Sequence, residues 1–171
     1  AITTGFNHTF GFNKSGNTEL LKKLSSEYGY KYFEVPPYVV NNDTVSCSSI
    51  KNKLRSGDIF GANKLLGYKF FVCGNVEKGD GIASKLGFPS ANITYPEEKV
   101  KVPHGVYYVN VEVGGVLYDG ILNYGYAPAV GNIDNLKTEV HILNFNKDIY
   151  GEKIKISFVT KIRNTINFEN T

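Results

Sequence analysis

The sequence of 171 residues contains no methionine or tryptophan, only two cysteines and only three histidines. Cys47 and Cys73 are far apart and have no metal-type spacing, so we expect neither a disulfide framework nor a zinc site. We therefore expect a reducing, cytoplasmic compartment. The first residues show no secretory signal, and no apolar run approaches the roughly 20 residues that a membrane-spanning helix needs. A chain without methionine that opens in a glycine- and aromatic-rich loop is typical of a fragment.

An excess of charge of one sign is also missing. The chain has 19 basic and 16 acidic residues, a net charge of +3. This balance is too mild to indicate a nucleic-acid or membrane-surface partner, and we expect neither. The hydrophobic fraction of 42% is ordinary and suffices for one domain or two small ones.

Helical signals dominate before Gly67. Asparagine, serine or aspartate stands at each predicted helix start, and glycine at each predicted end. A short β-rich run lies between the first two helices and stops at Pro36–Pro37. The predicted elements are a helix at 19–28, a strand at 31–35, a helix capped by Ser46 or Ser48 and ending near 55–57, and a helix after Asp58 ending at 65–67. This order is typical of the rear of an α/β unit.

Strand signals dominate after Gly67. Residues 106–113 and 116–118 flank Gly114–Gly115, which predicts a β-hairpin with a two-residue turn. Further strands are predicted at 68–76, 139–145 and 153–159. Several short strands with glycine-rich connections indicate a small antiparallel barrel or sandwich.

The connection 77–92 carries several glycines and lysines. Glycines allow backbone N–H groups to face a phosphate, although long connections of this kind often have no further role. Near its end stand Ser90 and Asn92, whose hydroxyl and amide oxygens suit Mg²⁺ and could equally form a turn.

Glu139 is predicted to open a strand, where a carboxylate can take a proton from an alcohol. An exposed strand charge is the simpler alternative. His141 is interpreted as a structural histidine. Asn123 stands in a second glycine-rich turn at 123–128, where it can hold a ligand or cap the turn.

Two segments of the first part could also bind ligands. Residues 5–11 form either a ligand loop or a packed turn. Residues 45–51 place hydroxyls at a helix N-terminus with a lysine one turn in, which suits an anion or an ordinary serine cap.

Taken together, these motifs resemble the bifunctional riboflavin kinase/FMN adenylyltransferase family, the bacterial FAD synthetases. The family's Leu-Gly-Phe-Pro-Thr-Ala-Asn appears as residues 86–92, and its Pro…Gly-Val-Tyr as residues 103–107. Its Asn-Ile-Gly…Pro-Thr is similar to residues 123–129, and its Glu-x-His-Leu-Leu-Asp-Phe to residues 139–145. The closing motif of the family is matched by Tyr150–Gly151, Phe158, Ile162–Arg163 and Phe168.

The first part resembles the rear of the family's adenylyltransferase domain. Residues 5–11 are similar to Gly-x-Asp-Phe-x-Phe-Gly, and residues 45–51 to Ile-Ser-Ser-Thr-x-Ile-Arg. Three departures stand out: the family's upstream His-x-Gly-His motif is absent, a lysine replaces the phosphate-contacting arginine, and Ser90 replaces threonine but keeps its hydroxyl. The resemblance implies an α+β protein with a partial Rossmann-like nucleotidyltransferase segment at 1–66 and a Greek-key β-barrel kinase domain at 67–171.

The resemblance also implies ATP- and Mg²⁺-dependent conversion of riboflavin to FMN, with ADP as the second product. FMN adenylylation to FAD is implied for the full-length family member. The implied base is Glu139, and the implied metal ligands are Ser90 and Asn92. The remaining implied residues are Gly79, Gly81, Lys85 and Gly87 for ATP phosphates, Asn123 for flavin or nucleotide, and Asn7, Ser46, Ser48 and Lys51 in the adenylyltransferase motifs. The alternatives are a non-catalytic flavin- or nucleotide-binding remnant and, with least support, a nucleic-acid-binding barrel.

Overall fold

The computed structural model describes residues 1–79, 90–126 and 136–165. The chain forms two compact units, Ala1–Val45 and Ser46–Thr171. No helix among the described residues is long and apolar enough to span a membrane.

The first unit contains a parallel strand pair joined through a helix. Strand β1 (Ile2–Gly5) pairs with β4 (Tyr32–Val35), and helix α1 (Thr18–Tyr28) lies between them in sequence. Parallel neighbours need such a crossover because a tight turn can join only antiparallel strands. Asn17 caps α1 by accepting from the Leu20 N–H at 2.9 Å, and Gly29 ends it with a left-handed φ of 68°. The helix and the strand predicted here are confirmed.

Two small antiparallel pairs complete the first unit. One consists of β2 (Thr9–Phe10) and β3 (Gly16–Asn17), and the other of β5 (Val39–Val40) and β6 (Asp43–Thr44). The parallel pair with its crossover helix shows an α/β arrangement of the described residues.

The second unit begins with helices α2 (Cys47–Ser56) and α3 (Ile59–Leu66), capped by Ser46 and Asp58 as predicted. Their inward residues belong to the same apolar core as the strands that follow. The Asn63 side chain joins α3 to the strands, because its amide donates to the Phe158 carbonyl at 2.9 Å and its oxygen accepts from the Phe70 N–H at 2.7 Å. The proposed family boundary at residue 66 stays a prediction, whereas by packing these helices belong with the strands.

The described strands of the second unit form one antiparallel sheet. They are β7 (Phe71–Asn75), β8 (Ser90–Ile93), β9 (Gly105–Val113), β10 (Val116–Tyr126), β11 (Leu136–Ile142) and β12 (Lys153–Arg163). Their order is β7-β12-β9-β10-β11-β8, so the last strand returns between β7 and β9. Gly114 and Gly115, with φ of 55° and 81°, make the predicted two-residue turn between β9 and β10.

The sheet curls until its two edges meet. Just past β7, the Glu77 N–H donates to the Asn92 carbonyl of β8 at 2.8 Å, forming an antiparallel bridge. A Cβ added to Gly74 would lie 3.0 Å from the Ile93 Cβ, so a side chain there would push these edges apart. This curled antiparallel sheet agrees with the predicted small barrel.

Aromatic residues fill the inside of the sheet. Tyr95 and Tyr124 lie with ring centroids 4.8 Å apart, and Tyr107 meets Phe158 edge-on at 5.3 Å. Burial raises the pKa of Tyr95 and Tyr107 well above the ordinary tyrosine value. The Tyr95 hydroxyl donates to the Val100 carbonyl at 2.7 Å, so its polar end is satisfied inside the core.

Candidate active site

A row of polar side chains crosses three neighbouring strands. Glu139 lies in the middle of β11, opposite Asn92 of β8 on one side and Asn123 of β10 on the other. Residues directly opposite in antiparallel strands share a face, so all three side chains leave the sheet on the same side. Thr138 and Val140, the neighbours of Glu139, are buried in the opposite direction. The alternation of β11 therefore sends the carboxylate outward, beside two amides.

Ser90 connects to this row through its hydroxyl. It is the first residue of β8 and stands two residues before Asn92, so both side chains face the same way. The Ser90 hydroxyl donates a hydrogen bond to Oε1 of Glu139. Among the described residues, no other hydrogen bond to the Glu139 carboxylate is present. One carboxylate oxygen is thus held, and the other is available to a ligand.

The chain that closes the barrel passes directly over Asn92. A Cβ added to Gly79 would lie 2.1 Å from the Asn92 Nδ2. Only a residue without a side chain can approach the amide this closely unless the amide moves. The Glu77 carboxylate accepts from the Thr94 hydroxyl at 3.0 Å, which helps to hold this segment. Backbone therefore lines one side of the polar row.

A cavity of about 360 Å³ adjoins the row at Ser90. Its apolar wall contains Val76, Ala91, Ile142 and Ile149. Lys147 and Tyr150 line it from the turn between β11 and β12, and the Lys78 ammonium lies 6.0 Å from the Tyr150 ring centroid. A concave, largely apolar space with a few polar groups at one side is the usual form of a small-molecule site.

Comparison with known proteins shows the family of the chain. The riboflavin kinase family model, Flavokinase, matches residues 66–171, more than half of the chain. The chain belongs to the riboflavin kinase family. The FAD synthetase family model matches residues 1–49.

Two curated relatives carry the name bifunctional riboflavin kinase/FMN adenylyltransferase. The protein from Haemophilus influenzae is 30% identical over 98% of this chain and 54% of its own length. The protein from Buchnera aphidicola of Schizaphis graminum is 34% identical over 99% of this chain and 55% of its own length. The chain therefore spans about half the length of the curated relatives it matches.

A solved structure supports the fold. A crystal structure described as a macrolide-efflux protein from Streptococcus pneumoniae has a TM-score of 0.83 and 29% identity, and it covers 97% of this chain and 53% of that chain. The described strands and helices therefore have a close experimental counterpart.

The donor set of the riboflavin kinase domain fits Mg²⁺. Ser90, Asn92 and Glu139 offer hydroxyl, amide and carboxylate oxygens, the hard ligands that Mg²⁺ prefers. The described residues contain no cluster of three or more His, Cys, Asp or Glu that could hold a metal. Such a cluster is unnecessary, because Mg²⁺ often uses one or two protein ligands together with substrate phosphates and water.

The positions of these residues correct three predictions. Ser90 and Asn92 lie in strand β8, not in a connection, because pairing with β11 orders them. Asn123 lies in strand β10, not in a turn. Glu139 lies in the middle of a strand that begins at Leu136, so it does not open the strand. Each of these positions depends on pairing with strands distant in sequence, which the local sequence does not reveal.

The predicted ATP-phosphate residues are only partly described. Gly79 lies against Asn92, as given above. Gly81, Lys85 and Gly87 lie outside the described residues.

The adenylyltransferase-motif residues belong to other elements of the chain than the polar row. Asn7 is exposed in the first unit, between β1 and β2. Ser46 caps α2 by accepting from the Ser49 N–H at 3.1 Å, and Ser48 and Lys51 are exposed on the same helix. The described contacts of Ser46 are those of an ordinary helix cap, the simpler of the two interpretations.

Two residues that line the cavity, Lys147 and Tyr150, are not among the site residues that the sequence predicts. Lys147 and Tyr150 lie between the predicted strands at 139–145 and 153–159, and Lys78, whose ammonium lies near the Tyr150 ring, is one of two lysines in the connection 77–92. Tyr150 did appear in a family motif, which is the one signal that could have indicated it. Their proximity arises because Val76 exchanges backbone hydrogen bonds with Gly151 and Glu152, at 2.8 and 2.9 Å.

Proposed function

We propose that this chain transfers the γ-phosphoryl group of ATP to the 5′-hydroxyl of riboflavin and yields FMN and ADP. The observation that carries the proposal is Glu139, set between Asn92 and Asn123 and hydrogen-bonded by Ser90 beside a cavity. Membership of the riboflavin kinase family supports this reaction.

Glu139 is the proposed general base. Its strand fixes the backbone, and Ser90 holds Oε1, which leaves Oε2 to accept the proton of the substrate hydroxyl. A base contributes only when it stands within hydrogen-bond reach of the proton that it removes. We therefore place the riboflavin 5′-hydroxyl over the polar row, where Asn123 can bond to a flavin ribityl or nucleotide oxygen.

Ser90 and Asn92 are the proposed ligands of Mg²⁺. When bound, the ion supplies positive charge that orients the ATP phosphates and offsets their negative charge. The proposed phosphate-binding groups are the backbone of Gly79, Gly81 and Gly87 and the side chain of Lys85. The cavity beside Ser90 is the proposed place for the rest of the nucleotide, with Lys147 adding positive charge at its wall.

The first unit is proposed to be the rear of an FMN adenylyltransferase domain with a Rossmann-like fold. The FAD synthetase match and the parallel pair β1–β4 with its crossover helix support this. Both relatives described above carry FMN adenylyltransferase in their names. We assign only the kinase reaction to this chain, because the residues that carry the proposal all lie in the second unit.

The test is Glu139→Gln, which keeps the shape of the side chain but removes its basicity. FMN formation from riboflavin and MgATP, followed by chromatography, should fall by about 10²–10⁴-fold. Glu112→Gln is the matched control, since Glu112 is a partly exposed carboxylate on β9 paired with Lys155 at 3.5 Å. Unchanged turnover in Glu139→Gln would remove this residue as the base. Riboflavin binding without FMN formation by the unaltered chain would instead support the non-catalytic binding remnant.

A further inference from the structure

Ser90 has a contact that a metal ligand does not need. Its hydroxyl donates to Oε1 of Glu139, the residue diagonal to it across β8 and β11. We propose that Ser90 is a positioning residue for Glu139: it fixes the carboxylate so that the free oxygen faces the riboflavin 5′-hydroxyl. This inference rests on the proposed kinase function and adds a second role for Ser90 at the same site.

The neighbours of Glu139 explain why it needs such a contact. Asn92 and Asn123 stand directly opposite it, yet among the described residues neither amide hydrogen-bonds to its carboxylate. A glutamate side chain has several rotatable bonds, and ordering them costs conformational entropy. A hydrogen bond to a charged acceptor is strong enough to favour one orientation by about tenfold or more. Within the described residues, Ser90 supplies that bond alone.

The two roles of Ser90 are compatible. A serine hydroxyl has one proton to donate and two lone pairs to offer. The proton is used on Glu139, so the lone pairs stay available for a cation. One hydroxyl can therefore bind the metal and orient the base at the same time, and threonine, which carries the same hydroxyl, should replace it.

The two roles predict different responses of the Ser90→Ala variant to added Mg²⁺. If Ser90 only binds the metal, Ser90→Ala raises the Mg²⁺ requirement, and excess Mg²⁺ restores the full kcat. If Ser90 also orients Glu139, kcat stays about tenfold or more below normal at saturating Mg²⁺. The double variant Ser90→Ala/Glu139→Gln should then be hardly worse than Glu139→Gln, because both changes remove the same function.

A binding measurement without metal gives an independent readout. Riboflavin is titrated into the full chain in EDTA and followed by quenching of flavin fluorescence. We expect Ser90→Ala to raise the riboflavin Kd by about three- to tenfold, and Ser90→Thr to leave it unchanged. Tyr108→Phe is the matched control, because it removes a hydroxyl-to-carboxylate hydrogen bond, to Asp119 at 2.6 Å, between strands β9 and β10 and outside the polar row. It should change neither kcat nor Kd.

The outcomes distinguish the two proposals. Full recovery of Ser90→Ala at high Mg²⁺, with a normal riboflavin Kd in EDTA, would overturn the positioning role and leave the kinase function intact. An unaltered chain that neither binds riboflavin nor forms FMN would overturn the kinase function and the positioning role with it. Should Ser90→Ala fail to fold by near-ultraviolet circular dichroism, Ser90→Cys carries the same test, since a thiol is only a weak hydrogen-bond donor to Glu139.

Discussion

A substitution at Leu54 of helix α2 tests whether the helices before the sheet stabilise the barrel. Its side chain is 2% exposed and belongs to the same buried cluster as Tyr107 and Phe158 of the sheet. Leu54→Ala removes buried apolar volume and leaves a cavity, which costs about 2–5 kcal/mol. For a unit of this size, a central loss of about 3 kcal/mol lowers Tm by about 12 °C.

The assay is thermal unfolding followed by near-ultraviolet circular dichroism. The chain has no tryptophan, so ordered tyrosines such as Tyr107 and Tyr124 provide the signal from inside the sheet. Leu117→Ala is the matched control: it is the same change at a side chain that is 62% exposed on β10. It should alter the stability by no more than about 0.5 kcal/mol.

One result would refute this reasoning. If Leu54→Ala lowers the temperature of the helical transition in far-ultraviolet circular dichroism while the near-ultraviolet tyrosine transition stays unchanged, α2 does not share a cooperative unit with the sheet. A shift of the tyrosine transition itself shows that the barrel depends on residues before position 66.

Two further predictions concern the site and the core. Gly79→Ala should weaken the apparent Mg²⁺ affinity measured in the FMN-forming assay, because the new methyl group displaces the Asn92 amide. Gly5→Ala is the control and should leave this affinity unchanged, since the nearest atom to its new methyl group is 3.8 Å away. Equal Mg²⁺ affinities in the two variants would contradict this prediction. Tyr95→Phe loses the hydrogen bond to Val100 and should cost about 1 kcal/mol near pH 7. Because burial raises the folded-state pKa of Tyr95 above its unfolded value near 10, its stabilising contribution is complete below that pH and is lost as pH rises through the folded-state pKa. The urea concentration at the midpoint of unfolding should therefore fall less steeply with pH above 10 for Tyr95→Phe than for the unaltered chain. Parallel curves for the two proteins would argue against this contribution of Tyr95.

The local sequence determined the helices and the hairpin. Asn17, Ser46 and Asp58 cap the helices where their side chains accept backbone N–H groups, and glycines in left-handed conformation end them. The pair Gly114–Gly115 makes the predicted turn between β9 and β10. These features depend on contacts within a few residues, so they can be read along the chain.

The sequence also supplied the types of site residue through the family motifs. The motifs indicate Ser90 and Asn92 as metal ligands and Glu139 as the base, and those roles stay predictions that the proposed variants test. The sequence does not show how these residues lie relative to one another in the fold. The residues at 90–92 stand at the end of a long glycine-containing connection, and strand β8 has only four residues, which are too few for their Ser-Ala-Asn-Ile alternation to indicate a strand by itself.

Only the tertiary structure decided how these parts meet. Pairing of β8 with β11 and of β11 with β10 brings Asn92, Glu139 and Asn123 into one row, and it gives Ser90 a partner 49 residues away. Long-range packing also decides the place of helices α2 and α3, whose buried side chains belong to the same apolar core as the strands. Strand register and barrel closure depend on contacts distant in sequence, whereas caps and turns depend on immediate neighbours. The chain by itself therefore determined its local elements and its family, and the folded sheet determined which of its residues stand together.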